Sequence, residues 1–251
     1  MIFTILKTKT IPMKKITSLL LLLSVFFYSK AQDDRENRAH ESGIYIKAGV
    51  NLANVSVTKD GQIDDANQLV SFHGGIMADM AMGRIFSFQP GLFFTGKGSK
   101  IEIGSPSDPN YLKGKTNPYY VELPLNLILN LVLNGKENSK LFAGAGPYGA
   151  IGVSGKRKSE GKILGTPFKS EGKIKFSSDD PTTFDYEEGA GLGLLKRFDY
   201  GFNITGGYVV GSLMMSANYG YGLAKINSGT SSSSDDENKH RVLSFSIAVR
   251  L

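Results

Sequence analysis

The chain has 251 residues, a formal net charge of +6 and no cysteine. The lack of cysteine excludes disulfides, thiolate metal sites, cysteine nucleophiles and a lipid anchor on an N-terminal cysteine. Five of the 29 basic residues are lysines in the first 31 positions, and the other 24 face 23 acidic residues. Without that first segment the positive charge that would favour nucleic-acid binding is gone.

The first element in chain order has the pattern of an export signal. Lys14 and Lys15 form a basic start, residues 16–27 form an apolar core, and small residues precede a cleavage point after Ala31. A helix that spans a bilayer needs about 20 apolar residues, and this core is shorter. We therefore expect a cleaved signal peptide at 1–31.

Two features at this end bear on the mature chain. A polar N-terminal segment is expected at 32–42, before the first strand. Met13 directly precedes the basic start of the signal, so the sequence leaves open whether translation begins at Met1 or at Met13.

Period-two alternation of apolar and polar residues dominates the rest of the chain. Residues 119–134 show it most clearly, with leucine at nearly every second position opposite Glu122, Asn126 and Asn130. In a transmembrane barrel, such alternation separates lipid-facing from lumen-facing side chains. The pattern predicts eight strands, near 44–54, 71–82, 85–95, 119–134, 140–154, 198–210, 212–224 and 243–251.

The connections between these strands alternate in length. Outer-membrane barrels have long outer loops and short periplasmic turns. The sequence therefore predicts an all-β fold, an eight-stranded antiparallel up-and-down transmembrane β-barrel over 43–251 with both termini in the periplasm. The predicted outer loops lie at 56–69, 97–117, 155–196 and 227–239, and the turns at 83–84, 134–138 and 211–212.

One segment complicates the strand count. Residues 182–195 alternate well enough to form a further strand, with Phe184, Tyr186 and Leu192 on one side. A ninth strand alone would place the termini on opposite sides of the membrane. We interpret the segment as outer-loop structure, forming a hairpin with 161–176, and a ten-stranded barrel is the alternative.

A series of short motifs follows the predicted strands in order: Gly49-Val50-Asn51-Leu52-Ala53-Asn54, Phe72-His73-Gly74-Gly75, Gln89-Pro90-Gly91-Leu92, Tyr120-Val121-Glu122-Leu123-Pro124-Leu125, Ala145-Gly146-Pro147-Tyr148, Lys196-Arg197-Phe198-Asp199-Tyr200-Gly201 and Tyr219-Gly220-Tyr221-Gly222-Leu223. In order and spacing they resemble the PorT-like outer-membrane β-barrel family of Bacteroidetes-type Gram-negative bacteria, over nearly all of 43–251. The resemblance implies location in the outer membrane and no particular chemistry. The chain differs from the family pattern at Leu251, where such barrels generally end on an aromatic residue that the assembly machinery reads.

The predicted lumen face collects ionisable and amide side chains. An eight-stranded barrel has an interior just wide enough for side chains to fill it. We therefore expect a hydrogen-bonded ionic plug and no ion pathway. Its predicted members are Lys47, Asp79, Glu122, Asp199, Arg250, Asn51, Gln89, Asn126 and Asn203.

Ser71 and His73 are the strongest candidates for catalysis in the sequence. They lie on one face of a strand, and some barrel lipid hydrolases pair a serine and a histidine in this way. Nucleophilic chemistry also needs an acid that orients the base, for which Asp79 or Glu122 would have to serve. Because two strand rises of about 3.3 Å separate the pair, we expect this geometry to fail and predict no catalytic residue.

No metal or cofactor site is predicted. His40 and His240 are too isolated to bind a metal together, and no helix follows the closely spaced glycines, as a phosphate-binding loop requires. A serine-rich acidic loop tip suggests Ca²⁺ only faintly. The glycines are Gly144, Gly146, Gly189, Gly191 and Gly193, and the loop tip comprises Ser231, Ser232, Ser233, Ser234, Asp235, Asp236 and Glu237.

The predicted loop at 155–176 is basic and would meet the phosphates of lipopolysaccharide if it faces outward. A solvated loop without a ligand is the alternative. Its cations, which outnumber Glu160 and Glu171, are Lys156, Arg157, Lys158, Lys162, Lys169, Lys173 and Lys175.

These observations predict an outer-membrane barrel protein with a structural, binding or secretion-related role and no catalytic activity. The expected partners are outer-membrane lipid, lipopolysaccharide and an unidentified envelope protein, with no nucleic acid and a monomeric state. One alternative is a barrel enzyme that acts on lipid A or phospholipid. Another is a soluble periplasmic barrel with a lipocalin-like cavity.

Overall fold

Alternating apolar and polar residues form long antiparallel strands in the computed structural model, which describes residues 42–59, 62–64, 68–83, 85–132, 139–177, 194–224, 226 and 239–251. The predicted signal peptide, His40, the turn at 134–138, the acidic loop tip and residues 182–193 lie outside this described part. No helix within it has the length and apolar character needed to cross a bilayer.

The strands of the described residues follow one another with few other elements between them. They are β1 Gly43–Lys59, β2 Gln62–Asp64, β3 Leu69–Met82, β4 Phe86–Gly96, β5 Ser99–Ile103, β6 Tyr111–Val132, β7 Ser139–Ile163, β8 Thr166–Lys173, β9 Lys175–Ser177, β10 Leu194–Lys196, β11 Phe198–Val210, β12 Leu213–Gly222 and β13 Lys239–Arg250.

Eight of these strands close into a ring. The order is β1-β3-β4-β6-β7-β11-β12-β13 and back to β1, and each neighbouring pair is antiparallel. Closure leaves no unpaired sheet edge, which is the condition for placing strands in hydrocarbon. The predicted eight-stranded antiparallel barrel is therefore confirmed, and each ring strand overlaps one predicted strand.

The outward face of the ring is apolar. Large aliphatic and aromatic side chains stand exposed at every second position, while their neighbours in sequence are buried in the lumen. Near the end with the long connections, Phe72, Phe94 and Tyr119 pack together, and the rings of Phe94 and Tyr119 stack at 5.1 Å between centroids. We call these three residues the outer aromatic cluster, because aromatic girdles mark the membrane interface in such barrels.

The predicted outer loops at 97–117 and 155–196 are not irregular, since strands occupy much of their described parts. β6 has 22 residues and β7 has 25, whereas a membrane crossing needs about 9–11. Beyond the aromatic cluster, β5 and β8 pair with the extended β6 and β7 to form a four-stranded sheet in the order β5-β6-β7-β8, here called the outer sheet. Charged residues occupy one of its faces, which hid the period-two pattern.

The hairpin predicted between 161–176 and 182–195 lies largely outside the described residues, since 182–193 are not among them. β8 folds back on β7 through Leu164 and Gly165, whose φ values are 50° and 79°. β9 instead pairs in parallel with β10. These two short strands form a separate sheet, so the described residues give a ring of eight strands and not ten.

Two apolar clusters bracket the polar lumen. The inner cluster, towards the short turns, comprises Tyr45, Met77, Ile128, Phe142, Val209, Met214 and Ala248. The second apolar cluster lies towards the long connections and comprises Ile174, Leu195 and Ile226, with Val55 and Phe176 packed against it. The polar centre of the lumen therefore lies between these two apolar clusters.

Candidate functional site

Lys97 is the centre of the strongest electrostatic cluster in the lumen. Its Nζ lies 2.6 Å from Glu122 Oε2 and 2.7 Å from Asp199 Oδ2. Tyr148 donates a hydrogen bond to Asp199 Oδ2 at 3.2 Å, and its ring centroid lies 4.0 Å from the Lys97 ammonium. The predicted lumen positions of Glu122 and Asp199 are correct, and sequence reasoning missed their cation.

The alternation of β4 could have identified Lys97. Every second residue of β4 and of its direct continuation points to the lumen. The buried polar members of this series include Gln89, Thr95 and Lys97. The sequence predicts a loop from residue 97, because the alternating apolar positions of this strand end at Phe94. The burial of Lys97 instead continues the lumen face one step beyond the strand.

A second ion pair lies nearer the short turns. Lys140 donates to Asp79 Oδ2 at 3.2 Å, and both side chains are almost fully buried. Arg250 donates to the Ser42 carbonyl at 3.1 Å, at the rim of the barrel. Most of the predicted ionic residues are therefore engaged in an internal network, with Lys140 as a further member.

Lys47 is different, since no carboxylate of the described residues lies at ion-pairing distance from it. Its side chain borders a cavity of about 50 Å³ between the two apolar clusters, here called the lumen cavity. The volume suits a few water molecules or one small ion. The other polar side chains that border it include His73, Gln89, Glu122, Asn126, Asn203 and Asn218.

Ser71 and His73 have different hydrogen-bond partners in the structure. Ser71 Oγ lies 3.4 Å from Asn117 Oδ1. His73 turns instead to the neighbouring strands, where its Nε2 lies 2.8 Å from Ser246 Oγ and its Nδ1 lies 2.7 Å from Asn51 Oδ1.

The hydrogen bonds fix the direction of this Ser246–His73–Asn51 chain. Asn51 Nδ2 must donate to the carbonyl oxygen of Gly96, 2.9 Å away. Asn51 Oδ1 therefore accepts from His73 Nδ1, which makes His73 Nε2 the acceptor for the Ser246 hydroxyl. A serine hydrogen-bonded to an oriented imidazole is the arrangement of a base-activated nucleophile. Sequence reasoning missed it because 173 residues separate Ser246 from His73.

The remaining candidates have structural explanations. His240 is buried, with Nε2 3.3 Å from the Tyr120 hydroxyl, and the described residues contain no group of three metal-ligating side chains. At Gly144 and Gly146 an added Cβ would lie 2.4 Å and 2.0 Å from backbone oxygens of β6. Close strand packing therefore accounts for these two glycines.

The two faces of the outer sheet differ in chemistry. Residues directly opposite on neighbouring strands share a face, and the face that continues the outward side of the barrel carries eight lysines and three glutamates. The opposite face carries Ile101, Ile103, Leu112, Ile163 and Phe168. The lysines are Lys100, Lys113, Lys115, Lys156, Lys158, Lys162, Lys169 and Lys173, and the glutamates are Glu102, Glu160 and Glu171.

The lysine face consists of rows with different charge balance. Far from the barrel, the row Glu102–Lys113–Glu160–Lys169 alternates in sign, and Lys113 lies 3.7 Å from Glu160. We call this the balanced row. It needs no external counter-ion.

Nearer the barrel, lysines lie directly opposite other lysines on neighbouring strands. The row Lys100–Lys115–Lys158 ends on Glu171, 2.7 Å from Lys158, and this contact lowers the pKa of the Glu171 carboxyl. The next row places Lys156 opposite Lys173. We call these two rows the unbalanced rows, because Lys100, Lys115, Lys156 and Lys173 have no carboxylate at ion-pairing distance among the described residues.

Comparison with known proteins gives a family and a set of structural likenesses. The family described as "Outer membrane protein beta-barrel domain" matches residues 30–228, which is most of the chain. No curated protein matches the sequence. The fold is similar to neisserial surface protein A (TM-score 0.37, 13% identity, covering 84% of this chain and 99% of that one) and to the attachment invasion locus protein Ail of Yersinia pestis, solved with the heparin analogue sucrose octasulfate (TM-score 0.38, 13% identity, covering 84% and 99%).

Proposed function

Since the chain belongs to the outer membrane protein beta-barrel domain family and lies in the outer membrane, we propose that it is a non-enzymatic binding protein whose outer sheet holds the phosphates of lipopolysaccharide. The observation that carries this proposal is the pair of unbalanced lysine rows. Like charges directly opposite each other destabilise a sheet. An anion that bridges the rows removes this cost.

The position of the rows fits lipid phosphates. Lys115 lies four residues beyond Tyr119 on the same strand, which is about 13 Å at roughly 3.3 Å per residue. Tyr119 belongs to the outer aromatic cluster at the interface. This distance supports a position for the lysines at headgroup height on the side that faces lipid.

The filled lumen supports action through the surface. Apolar clusters lie towards both ends of the polar interior, and the cavity between them has a volume of about 50 Å³. A solute pathway would need to displace both clusters. Because the ring pairs all its strands within one chain, the proposed active form is a monomer.

Within its family, we assign the chain to the PorT-like group. The support is the set of motifs in the barrel strands, of which two supply lumen residues at the sites described above. Asn51 orients His73, and Asp199 pairs with Lys97. A secretion or assembly partner in the envelope is part of this assignment.

We expect the double variant Lys115→Gln, Lys156→Gln to bind lipid A about thirtyfold more weakly than the parent. Each lysine near an anionic surface contributes about 1 kcal/mol, and about 2 kcal/mol corresponds to roughly thirtyfold in affinity. The measurement is titration of the purified, folded barrel in detergent with lipid A.

The matched control is Lys113→Gln, Lys169→Gln, which removes the same charge from the balanced row of the same sheet. We expect the control to bind within about threefold of the parent, because its lysines already have carboxylate neighbours. Equal losses in the two variants, or equal binding of dephosphorylated lipid A by the parent, would refute the proposal.

A lipid hydrolase is the second candidate, and the Ser246–His73–Asn51 chain is the observation that favours it. Ser246 lies inside the barrel and is 6% exposed, so an acyl ester cannot reach its hydroxyl. We expect cells that express the parent, Ser246→Ala or Ser71→Ala to have the same lipid A and phospholipid acyl profiles. A change that the parent causes, Ser246→Ala abolishes and Ser71→Ala retains would establish the hydrolase instead.

A further inference from the structure

The lysines of the unbalanced rows that have no carboxylate partner fall into two pairs. Lys100 on β5 lies directly opposite Lys115 on β6, and Lys156 on β7 lies directly opposite Lys173 on β8. The Cβ atoms of directly opposite residues are about 4.5–5.5 Å apart, so the two long side chains of a pair can reach the same anion. We call them the β5–β6 pair and the β7–β8 pair.

The geometry of the sheet sets the distance between the two pairs. Their midpoints are two strands apart, which is about 9.6 Å at roughly 4.8 Å per strand. Lys156 lies opposite Asn117, two residues along β6 from Lys115, and this offset adds about 6.6 Å along the strands. The two perpendicular displacements combine to about 12 Å, so a single phosphate cannot bridge the midpoints of both pairs.

Each pair matches the charge of one phosphate monoester. Such a group carries about −1.5 to −2 charges near pH 7, and each pair offers two ammonium groups. The surface between the pairs has no net charge, because Asn117 is neutral and Lys158 contacts Glu171 at 2.7 Å. Polar groups without charge, such as the hydroxyl groups of a sugar, suit this surface because they both donate and accept hydrogen bonds.

We propose that the outer sheet selects a lipid with two phosphate monoesters at the far ends of a disaccharide, one phosphate bound by each lysine pair. This inference rests on the proposed function and names the kind of lipid phosphate that the lysine face recognises. A lipid with one phosphate compensates a single pair and leaves the like charges of the other pair opposed. The spacing of the pairs therefore favours bisphosphorylated over monophosphorylated lipid A.

The test is titration of the purified, folded barrel in detergent with bisphosphoryl and monophosphoryl lipid A that carry the same acyl chains. We expect the parent to bind the bisphosphoryl form about thirtyfold more tightly, because the second phosphate engages two further lysines. The double variant Lys100→Gln, Lys115→Gln removes one pair, and Lys156→Gln, Lys173→Gln removes the other. Each of these two variants should lose the preference for the bisphosphoryl form.

Two controls separate phosphate spacing from total charge. The variant Lys113→Gln, Lys169→Gln loses the same charge from the balanced row, and we expect it to keep the preference of the parent. Cardiolipin also has two phosphates, but a single glycerol joins them and holds them closer together. We expect the parent to bind cardiolipin no more tightly than monophosphoryl lipid A.

The outcomes distinguish this inference from the proposed function. Equal binding of the two lipid A forms by the parent, with a loss in Lys115→Gln, Lys156→Gln, would overturn the inference and leave the proposed function intact. Cardiolipin binding as tight as that of bisphosphoryl lipid A would also overturn the inference, because two charges at any spacing would then suffice. If dephosphorylated lipid A binds as tightly as both phosphorylated forms, the proposed function fails as well.

Discussion

Leu127→Arg is expected to lower the free energy of unfolding of the barrel by about 2–4 kcal/mol, the cost of placing arginine at mid-membrane on the lipid face of a barrel. Leu127 is 52% exposed on the outward face, midway along the membrane part of β6. The measurement is the urea midpoint of the barrel folded into lipid vesicles. In cells, we expect less folded protein in the outer membrane.

Leu112→Arg is the matched control, because Leu112 lies on the same strand and is also exposed, but in the outer sheet. A charge there remains in water, so we expect a change of no more than about 0.5 kcal/mol. If both variants lose stability equally, the position of the bilayer along β6 is wrong.

Lys97→Met is expected to cost about 3–5 kcal/mol, because removing one partner of a buried ion cluster leaves uncompensated charge in the interior. Among the described residues, Lys97 is the one cation at ion-pair distance from both Glu122 and Asp199, and its side chain is 3% exposed. We expect most of the purified variant to migrate as unfolded protein in unheated gel samples, where the parent migrates as a folded barrel.

The triple variant Lys97→Met, Glu122→Gln, Asp199→Asn separates charge from packing. It removes all three charges together and keeps the side chains close to their original size, so we expect it to recover at least half of the lost stability. Failure to recover would mean that the lysine chain and its contact with the Tyr148 ring, and not the charges, stabilise the cluster.

The positions of the ring strands were predictable because membrane strands obey one rule. Lipid on one side and a narrow polar interior on the other force every second residue to be apolar, as in the Leu123–Leu131 series of β6. Glu122, Asp199, Asn51 and Asn126 were identified as lumen residues by the same parity. Their burial follows from which side of a strand they occupy, which is a local property of the sequence.

The alternation of apolar and polar residues is no longer informative where the strands leave the membrane. In the outer sheet, lysines replace lipid-facing residues on one side, as at Lys113 and Lys115, so the alternation persists while its usual composition does not. The extension of β6 and β7 beyond the membrane depends on their pairing with each other. The alternation within either strand alone does not reveal that pairing.

The sequence by itself determined the barrel, its strand number and the inward or outward direction of most side chains, since these depend on short-range alternation. Only the tertiary structure decided which inward side chains meet. Ring closure brings Ser246 of the last strand to His73 of the second ring strand, Lys97 to Asp199, and Lys140 to Asp79. These contacts depend on strand register across the ring and on the fixed width of the lumen, which bring residues distant in sequence within hydrogen-bond reach.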